Sequence, residues 1–148
     1  MNESDESLPA PVRRLAFRVS GRPCAKQRAR VVRQGGRTRA FTPEATESYE
    51  AVVAGAAMEA MSAHGWDRVP KGVCVRVELS ICTDTRGGDL DNVVKAVFDG
   101  LSKAGVWDDD RQVRGADPLT VHHYLTREDG IRAADAGVDV LVVAPREP

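Results

Sequence analysis

One short segment of this 148-residue sequence has acidic and basic side chains at a spacing that suits phosphate chemistry. The segment reads Asp89-Leu90-Asp91-Asn92-Val93-Val94-Lys95. If it starts a helix, Asp91 and Lys95 project from one face, because residues four apart are neighbours on a helix surface. Asp99 continues roughly along that face. Aspartate also caps helices and complements their dipole, so this segment alone is more typical of a solvated surface than of an active site.

A second acidic group, Asp108–Asp110, follows the predicted helix and changes that balance. Three adjacent aspartates repel one another, which is a poor way to stabilise a fold. A reversal of the chain after Gly105 would return them toward the helix face. We therefore expect Asp89, Asp91 and Asp110 to converge on one site.

Carboxylates in such a group would suit Mg²⁺, with Mn²⁺ as a plausible substitute, because Mg²⁺ takes oxygen ligands and only a few carboxylates. A site of this kind can activate water and neutralise a phosphate in line with the attacking oxygen. Lys95 beside it could hold the scissile phosphate or stabilise the developing charge. These residues predict a metal-dependent phosphodiester enzyme.

The charges of the chain are segregated, although the formal net charge is only −1. Seven cations and no acid lie between Gly21 and Phe41, namely Arg22, Lys26, Arg28, Arg30, Arg33, Arg37 and Arg39. A cationic segment of this kind attracts phosphate and would track a nucleic-acid backbone. The aspartates are concentrated between Asp84 and Asp110. On charge alone, salt bridges between these two segments, or two solvated surfaces, explain the segregation slightly better than nucleic-acid binding does.

Hydrophobic patterning predicts an α+β fold, a mixed β-sheet with two main helices packed on it. Strands are expected at 15–20, 72–82, 119–126 and 138–143, with a hairpin over 31–41 that turns at 34–36. One helix should start at Thr42-Pro43-Glu44 and end at His64. A second should span Asp89 to Ala104, with an apolar stripe of Leu90, Val94, Val97 and Leu101 opposite its charged face.

The remaining features predict one cytoplasmic domain over residues 15–148, preceded by a flexible tail over 1–14. The acidic start without an apolar stretch is not typical of a signal peptide, and no apolar run is long enough for a membrane span. Three cysteines without a C-x-x-C pair disfavour a cysteine-based zinc site. The adjacent His122 and His123 should point to opposite faces of a strand, one inward and one exposed.

Three blocks of the sequence resemble the RusA-type endodeoxyribonucleases, the Holliday junction resolvases of bacteria and prophages. The first block is Gly21-x-Pro23-x-x-Lys26-x-Arg28-x-Arg30, and the second is Phe41-Thr42-Pro43 followed by Thr46, Tyr49 and Glu50. The third and most specific runs from Asp89-x-Asp91-Asn92-x-x-Lys95 through Asp99-Gly100-Leu101 and Trp107 to Asp109-Asp110-x-Gln112-Val113. Two departures are Ala29, where many relatives have proline, and the extra carboxylate of Asp108.

The resemblance implies a homodimer that resolves four-way DNA junctions by paired, symmetric, Mg²⁺-dependent nicks in recombination and repair. It implies metal binding at Asp89, Asp91 and Asp110, with Asp109 as a further candidate, and an essential role for Lys95. Branched DNA is then the partner, with no membrane and no small-molecule cofactor. The alternatives are a non-catalytic nucleic-acid-binding module and a general Mg²⁺-dependent nuclease without junction preference.

Overall fold

The computed structural model describes residues 11–24, 30–34, 37–41, 44–83 and 89–146, with side chains for 11–24, 48–83 and 89–146. The strands are β1 (Val12–Ser20), β2 (Arg30–Gln34), β3 (Arg37–Phe41), β4 (Arg76–Thr83), β5 (Leu119–Leu125) and β6 (Gly137–Pro145). The helices are α1 (Glu44–His64) and α2 (Leu90–Ala104), with short 3₁₀ turns at Asp110–Gln112 and Ala133–Asp135. Residues 84–88 and most of the expected tail, residues 1–10, lie outside the described residues.

Four strands form one mixed sheet in the order β1-β6-β4-β5. β6 pairs antiparallel with both β1 and β4, whereas β4 pairs parallel with β5 across the connection that contains α2. Alternate residues of β4, Val77, Leu79 and Ile81, are fully buried, as the period-two pattern predicted. The expectation of a mixed α+β sheet is confirmed.

Both helices contribute to the same hydrophobic core as the sheet. Val53 of α1 and Val97 and Leu101 of α2 are fully buried together with Leu15 of β1. The helices approach closely at Gly100, where an added Cβ would lie 2.6 Å from the Cβ of Val53. This contact fixes how α2 sits against α1.

The first residues of β1 and β4 differ from the sequence-based expectations. β1 starts at Val12, inside the expected tail, because Val12–Arg14 pair with Val143–Pro145 of β6. The strand expected from residue 72 starts only at Arg76. β2 and β3 form the predicted hairpin, with Val32 opposite Arg39, while its turn residues 35–36 lie outside the described part.

The outer strand β5 is mostly exposed, and only Val121 and Leu125 along it are half-buried. His122 and His123 are therefore both exposed, and the expectation that one points inward was wrong. Nε2 of His122 lies 3.6 Å from Glu78, and Nε2 of His123 lies 3.4 Å from the Thr83 hydroxyl. An edge strand that its neighbours cover only in part can leave side chains on both of its faces accessible.

Within the ranges described, no helix is both long enough and apolar enough to cross a membrane.

Candidate active site

The first acidic pair lies at the start of α2. Asp89 is the N-cap residue, and its Oδ1 accepts a hydrogen bond from the backbone N–H of Asp91 at 3.1 Å. Its Oδ2 accepts a second one from Nδ2 of Asn92 at 3.2 Å. Capping thus orients the Asp89 carboxylate, and each oxygen retains a further lone pair for another partner.

The buried face of α2 differs from the predicted apolar stripe. Its buried residues are Val93, Ala96, Val97, Gly100 and Leu101. The expected stripe residues Leu90 and Val94 are only half-buried. The close approach of Gly100 to α1 turns the buried face by about one position along the helix, because α2 packs on α1 as well as on the sheet.

Residues Gly105 to Trp107 reverse the chain after α2. Gly105 adopts a left-handed conformation with φ 81°, and its N–H donates to the carbonyls of Leu101 and Ser102. The buried Trp107 then donates from Nε1 to the Ser102 hydroxyl at 2.8 Å and packs edge-on against Phe98. The reversal predicted after Gly105 is therefore present, and it directs the following aspartates back along α2.

The second acidic group is held by the buried side chain of Gln112, which is 4% exposed. Its Oε1 accepts hydrogen bonds from the backbone N–H groups of Asp108 and Asp109, both at 2.8 Å. Its Nε2 donates to the carbonyls of Pro70 and Val73 at 2.8 and 3.0 Å. The amide of Gln112 therefore joins residues 108–112, here called the acidic turn, to the segment before β4. The sequence signal was a glutamine three residues after an aspartate, which is the pattern of a capping box.

The three adjacent aspartates have three different surroundings. Asp109 caps the Asp110–Gln112 turn, and the hydrogen bond from the backbone N–H of Arg111 holds the pKa of its carboxyl below the usual value. The extra carboxylate, Asp108, pairs with Arg68 at 3.6 Å. Neither aspartate lines the pocket in which Asp110 lies.

Asp110 and the charged face of α2 line one pocket of about 540 Å³, here called the acidic pocket. Its polar lining residues are Asp91, Lys95, Asp99 and Asp110, and its apolar lining residues are Leu90, Val94, Phe98, Leu119 and Val121. The Leu90 and Val94 side chains, expected to face the core opposite the charges, thus lie beside them. Sequence reasoning did not assign Phe98, Leu119 and Val121 to the site.

Desolvation and neighbouring carboxylates both act on the carboxyl group of Asp110. Partial desolvation raises the pKa of its carboxyl, and hydrogen bonding to Asp109 with the charges of Asp109 and Asp99 raises it further. Lys95 has no carboxylate within 4.0 Å among the described side chains. A bound cation would relieve the repulsion, and a phosphate oxygen could accept a hydrogen bond from the Lys95 ammonium.

The donor set of the acidic pocket fits a hard divalent cation. In the described part of the chain, no three carboxylate, histidine or cysteine side chains are grouped closely enough to enclose a metal by themselves. Asp91 and Asp110 line the pocket, whereas Asp89 lies outside its lining. Mg²⁺ needs only one or two protein carboxylates when waters and substrate oxygens complete its shell. The assignment of Asp89, Asp91, Asp110 and Asp109 as ligands stays a prediction.

Of the predicted DNA-binding residues, only Arg22 has a side chain that the structure describes. Arg22 is exposed and has an interaction partner. The backbone places four of the others on the hairpin strands, Arg30 and Arg33 on β2 and Arg37 and Arg39 on β3. Lys26 and Arg28 lie outside the described residues altogether. Their role in binding stays a prediction.

Comparisons with known proteins identify similar sequences. A family model described as "Endodeoxyribonuclease RusA" matches residues 20–131. Proteins named "Crossover junction endodeoxyribonuclease RusA" from Escherichia coli strain K12 and Shigella sonnei strain Ss046 are each 54% identical over 41 residues. The protein of that name from Enterobacteria phage 82 is equally similar. Each match covers 28% of this chain and 33% of the relative, so the chain spans about a third of the length of these relatives.

Proposed function

The chain belongs to the endodeoxyribonuclease RusA family, and from that premise we propose that it nicks four-way DNA junctions in a reaction that depends on Mg²⁺. One observation supports this proposal more than any other. Asp91 and Asp110 are separated by a helix and a chain reversal, yet they line one pocket together with Lys95. Carboxylates and a lysine in one concave site are the groups that phosphodiester hydrolysis needs.

The chain's own residues have distinct tasks in the proposed reaction. Asp91 and Asp110, with Asp89 at the edge of the same helix start, would hold the cation. When bound, a divalent cation supplies an activated water and neutralises charge on the attacked phosphate. Lys95 would donate to a non-bridging phosphate oxygen, where charge develops as the bond breaks. The products would carry a 5′-phosphate and a 3′-hydroxyl, as the family implies.

The substrate is proposed to be bound through its backbone. The cationic segment Arg22–Arg39 includes a two-stranded ribbon, and contacts from it to phosphates would position DNA without reading its sequence. A homodimer would present two acidic pockets related by a twofold axis, which suits two symmetric nicks in a four-way junction. In the cell this activity would serve recombination and repair.

The test is incubation of the purified protein with a labelled four-way junction and with a linear duplex of the same arm sequence, each with and without Mg²⁺. We expect paired nicks in the junction alone, and only when Mg²⁺ or Mn²⁺ is present. Equal cleavage of both substrates would indicate a general nuclease. Junction binding without cleavage under every metal condition would indicate a non-catalytic binding module and would contradict the proposal.

A further inference from the structure

A second concave site lies close to the acidic turn and has the opposite charge. It is a pocket of about 380 Å³ lined by Arg13, His64, Gly65, Asp67, Arg68 and Arg146, here called the arginine pocket. Three arginines oppose a single aspartate, so its lining has a formal charge of +2 with His64 neutral. None of these arginines belongs to the cationic segment Arg22–Arg39.

The arginines come from distant parts of the chain and meet at one end of the sheet. Arg13 lies near the start of β1, and Arg146 directly follows β6, whose last residue pairs with Val12. The backbone N–H of Arg146 donates to the carbonyl of Pro11 at 3.0 Å, which holds this end together. Arg68 comes from the segment between α1 and β4. Folding therefore concentrates positive charge that the linear sequence disperses.

Arg13 is held in place by two contacts. Its guanidinium stacks over the ring of Trp66 at 4.3 Å and donates from Nη1 to the carbonyl of Asp67 at 2.7 Å. Trp66 is buried and donates from Nε1 to the carbonyl of Val106, just before the acidic turn. A guanidinium fixed in this way retains donors for an oxyanion and loses little freedom on binding one.

Arg68 connects the arginine pocket with the acidic pocket. Its guanidinium pairs with Asp108, two residues before Asp110. The Cα atoms of Asp108 and Asp110 are at most about 8 Å apart, because consecutive Cα atoms are about 3.8 Å apart. The two pockets thus flank one short turn. Both partners of this ion pair are largely exposed, so it contributes little to stability and a phosphate can replace the carboxylate.

We propose that the arginine pocket binds a phosphate of the DNA strand that enters the acidic pocket, with Arg68 exchanging Asp108 for the phosphate. This inference rests on the proposed nuclease function, because it takes junction DNA as the ligand. It assigns a contact that the cationic segment Arg22–Arg39 does not supply. It also gives the extra carboxylate, Asp108, a function, which is to restrain Arg68 when DNA is absent.

The test measures equilibrium binding of a fluorescent four-way junction in EDTA, so that cleavage does not interfere, over a range of salt concentrations. Arg68→Gln and Arg146→Gln should each weaken binding about three- to tenfold and lower the salt slope by about 1, as loss of one phosphate contact does. Asp108→Asn should strengthen binding, because it removes a negative charge that competes with the phosphate. The matched control is Arg127→Gln, an exposed arginine just beyond β5 at the opposite end of the sheet, and it should bind like the wild type.

Two results would overturn the inference. One is an unchanged affinity and salt slope in both Arg68→Gln and Arg146→Gln. The other is an effect of inorganic phosphate without an effect on DNA binding: phosphate raises the melting temperature of the wild type but not of these variants, and their DNA affinity is unchanged. That result would make the pocket an anion site unrelated to DNA. A lower melting temperature with unchanged DNA affinity belongs to the first case, and it would mean that the arginines only offset the carboxyl end of α1. Failure of the wild type to cleave would contradict the proposed function and leave this binding test intact.

Discussion

The two acidic groups of the molecule are built alike, but local hydrogen bonds hold the first and hydrogen bonds to remote residues hold the second. In each, one aspartate caps a helical turn and a later one faces the acidic pocket: Asp89 caps α2 before Asp91, and Asp109 caps the 3₁₀ turn before Asp110. The first pair is held by hydrogen bonds within four residues. The second depends on Gln112, whose amide reaches carbonyls about forty residues away in the sequence. A local motif and a tertiary one thus contribute to a single site.

The largest expected effect tests whether the two groups act in the same reaction. Asp91→Asn and Asp110→Asn should each reduce junction cleavage by about a thousandfold, because each removes a proposed metal-binding charge worth several kcal/mol. Junction binding in EDTA should persist, since the shape of the side chain is retained. Asp117→Asn is the matched control, because Asp117 is exposed, outside the pocket, and at a positive φ that asparagine tolerates. Wild-type activity in either pocket variant would remove that aspartate from the site.

Lys95→Ala removes the ammonium group that lines the acidic pocket together with Asp91 and Asp110. It should lower the turnover rate about a hundredfold. The affinity for the junction should change far less, because one exposed lysine is a small part of the total phosphate contacts. Single-turnover rates at saturating protein, compared with binding in EDTA, separate the two effects. Arg132→Ala, which removes an exposed positive charge outside the pocket, serves as the control. A loss of affinity alone would make Lys95 a binding residue.

The tertiary support of the second group can be removed by Gln112→Leu. We expect cleavage to fall about 10- to 100-fold, the usual cost of losing a group that orients metal ligands. The Mg²⁺ concentration for half-maximal activity should rise as well, which a general loss of folded protein would not cause. Gln112→Glu keeps the acceptor for both backbone N–H groups but replaces the donor to the carbonyls of Pro70 and Val73 with a buried carboxylate oxygen, so it should lose at least as much. If Gln112→Leu has the same activity and the same Mg²⁺ dependence as the wild type, the acidic turn does not need the hydrogen bonds of Gln112.

The packing below the first group is tested at Gly100. Gly100→Ala should destabilise the protein by about 1–3 kcal/mol, because the new Cβ would lie 2.6 Å from Val53 in a filled core. Gly55→Ala in α1 is the matched control, since nothing lies within 4 Å of its added Cβ and alanine favours helix by about 1 kcal/mol. Urea unfolding measures both. A neutral Gly100→Ala would mean that α2 can shift against α1 without cost.

The smallest effect is a pH dependence of stability at the second group. The pKa of Asp110 is raised in the folded protein, so its ionisation opposes folding, and stability falls as pH rises from the unfolded-state pKa through the folded-state pKa. Asp110→Asn should therefore be slightly more stable than the wild type at neutral pH. The difference should disappear below the usual carboxyl pKa, where both side chains are neutral. Melting temperatures from pH 3 to 7, about the range in which carboxyls titrate, measure this. A variant less stable at neutral pH would contradict the raised pKa.

The α2 segment shows how far local pattern predicts structure. The cap, the helix and the shared face of Asp91 and Lys95 follow from residue types within one or two turns, because helical spacing fixes neighbours three and four apart. The same pattern correctly predicted Val97 and Leu101 as buried, but it also placed Leu90 and Val94 in the core, and they are only half-buried. Which side of an amphipathic helix is covered depends on its neighbours, and here the contact at Gly100 decides it.

The amino-acid sequence by itself determined the mixed sheet, the two helices, the family and the local geometry around Asp89, because each depends on short-range spacing or on a long motif. Only the tertiary structure showed the different surroundings of Asp108 and Asp110 and gathered Arg13, Arg68 and Arg146 at one end of the sheet. Adjacent aspartates are equivalent in a sequence. They become different when hydrogen bonds from Gln112 to remote carbonyls fix the turn, so that one carboxylate meets an arginine and another faces the pocket.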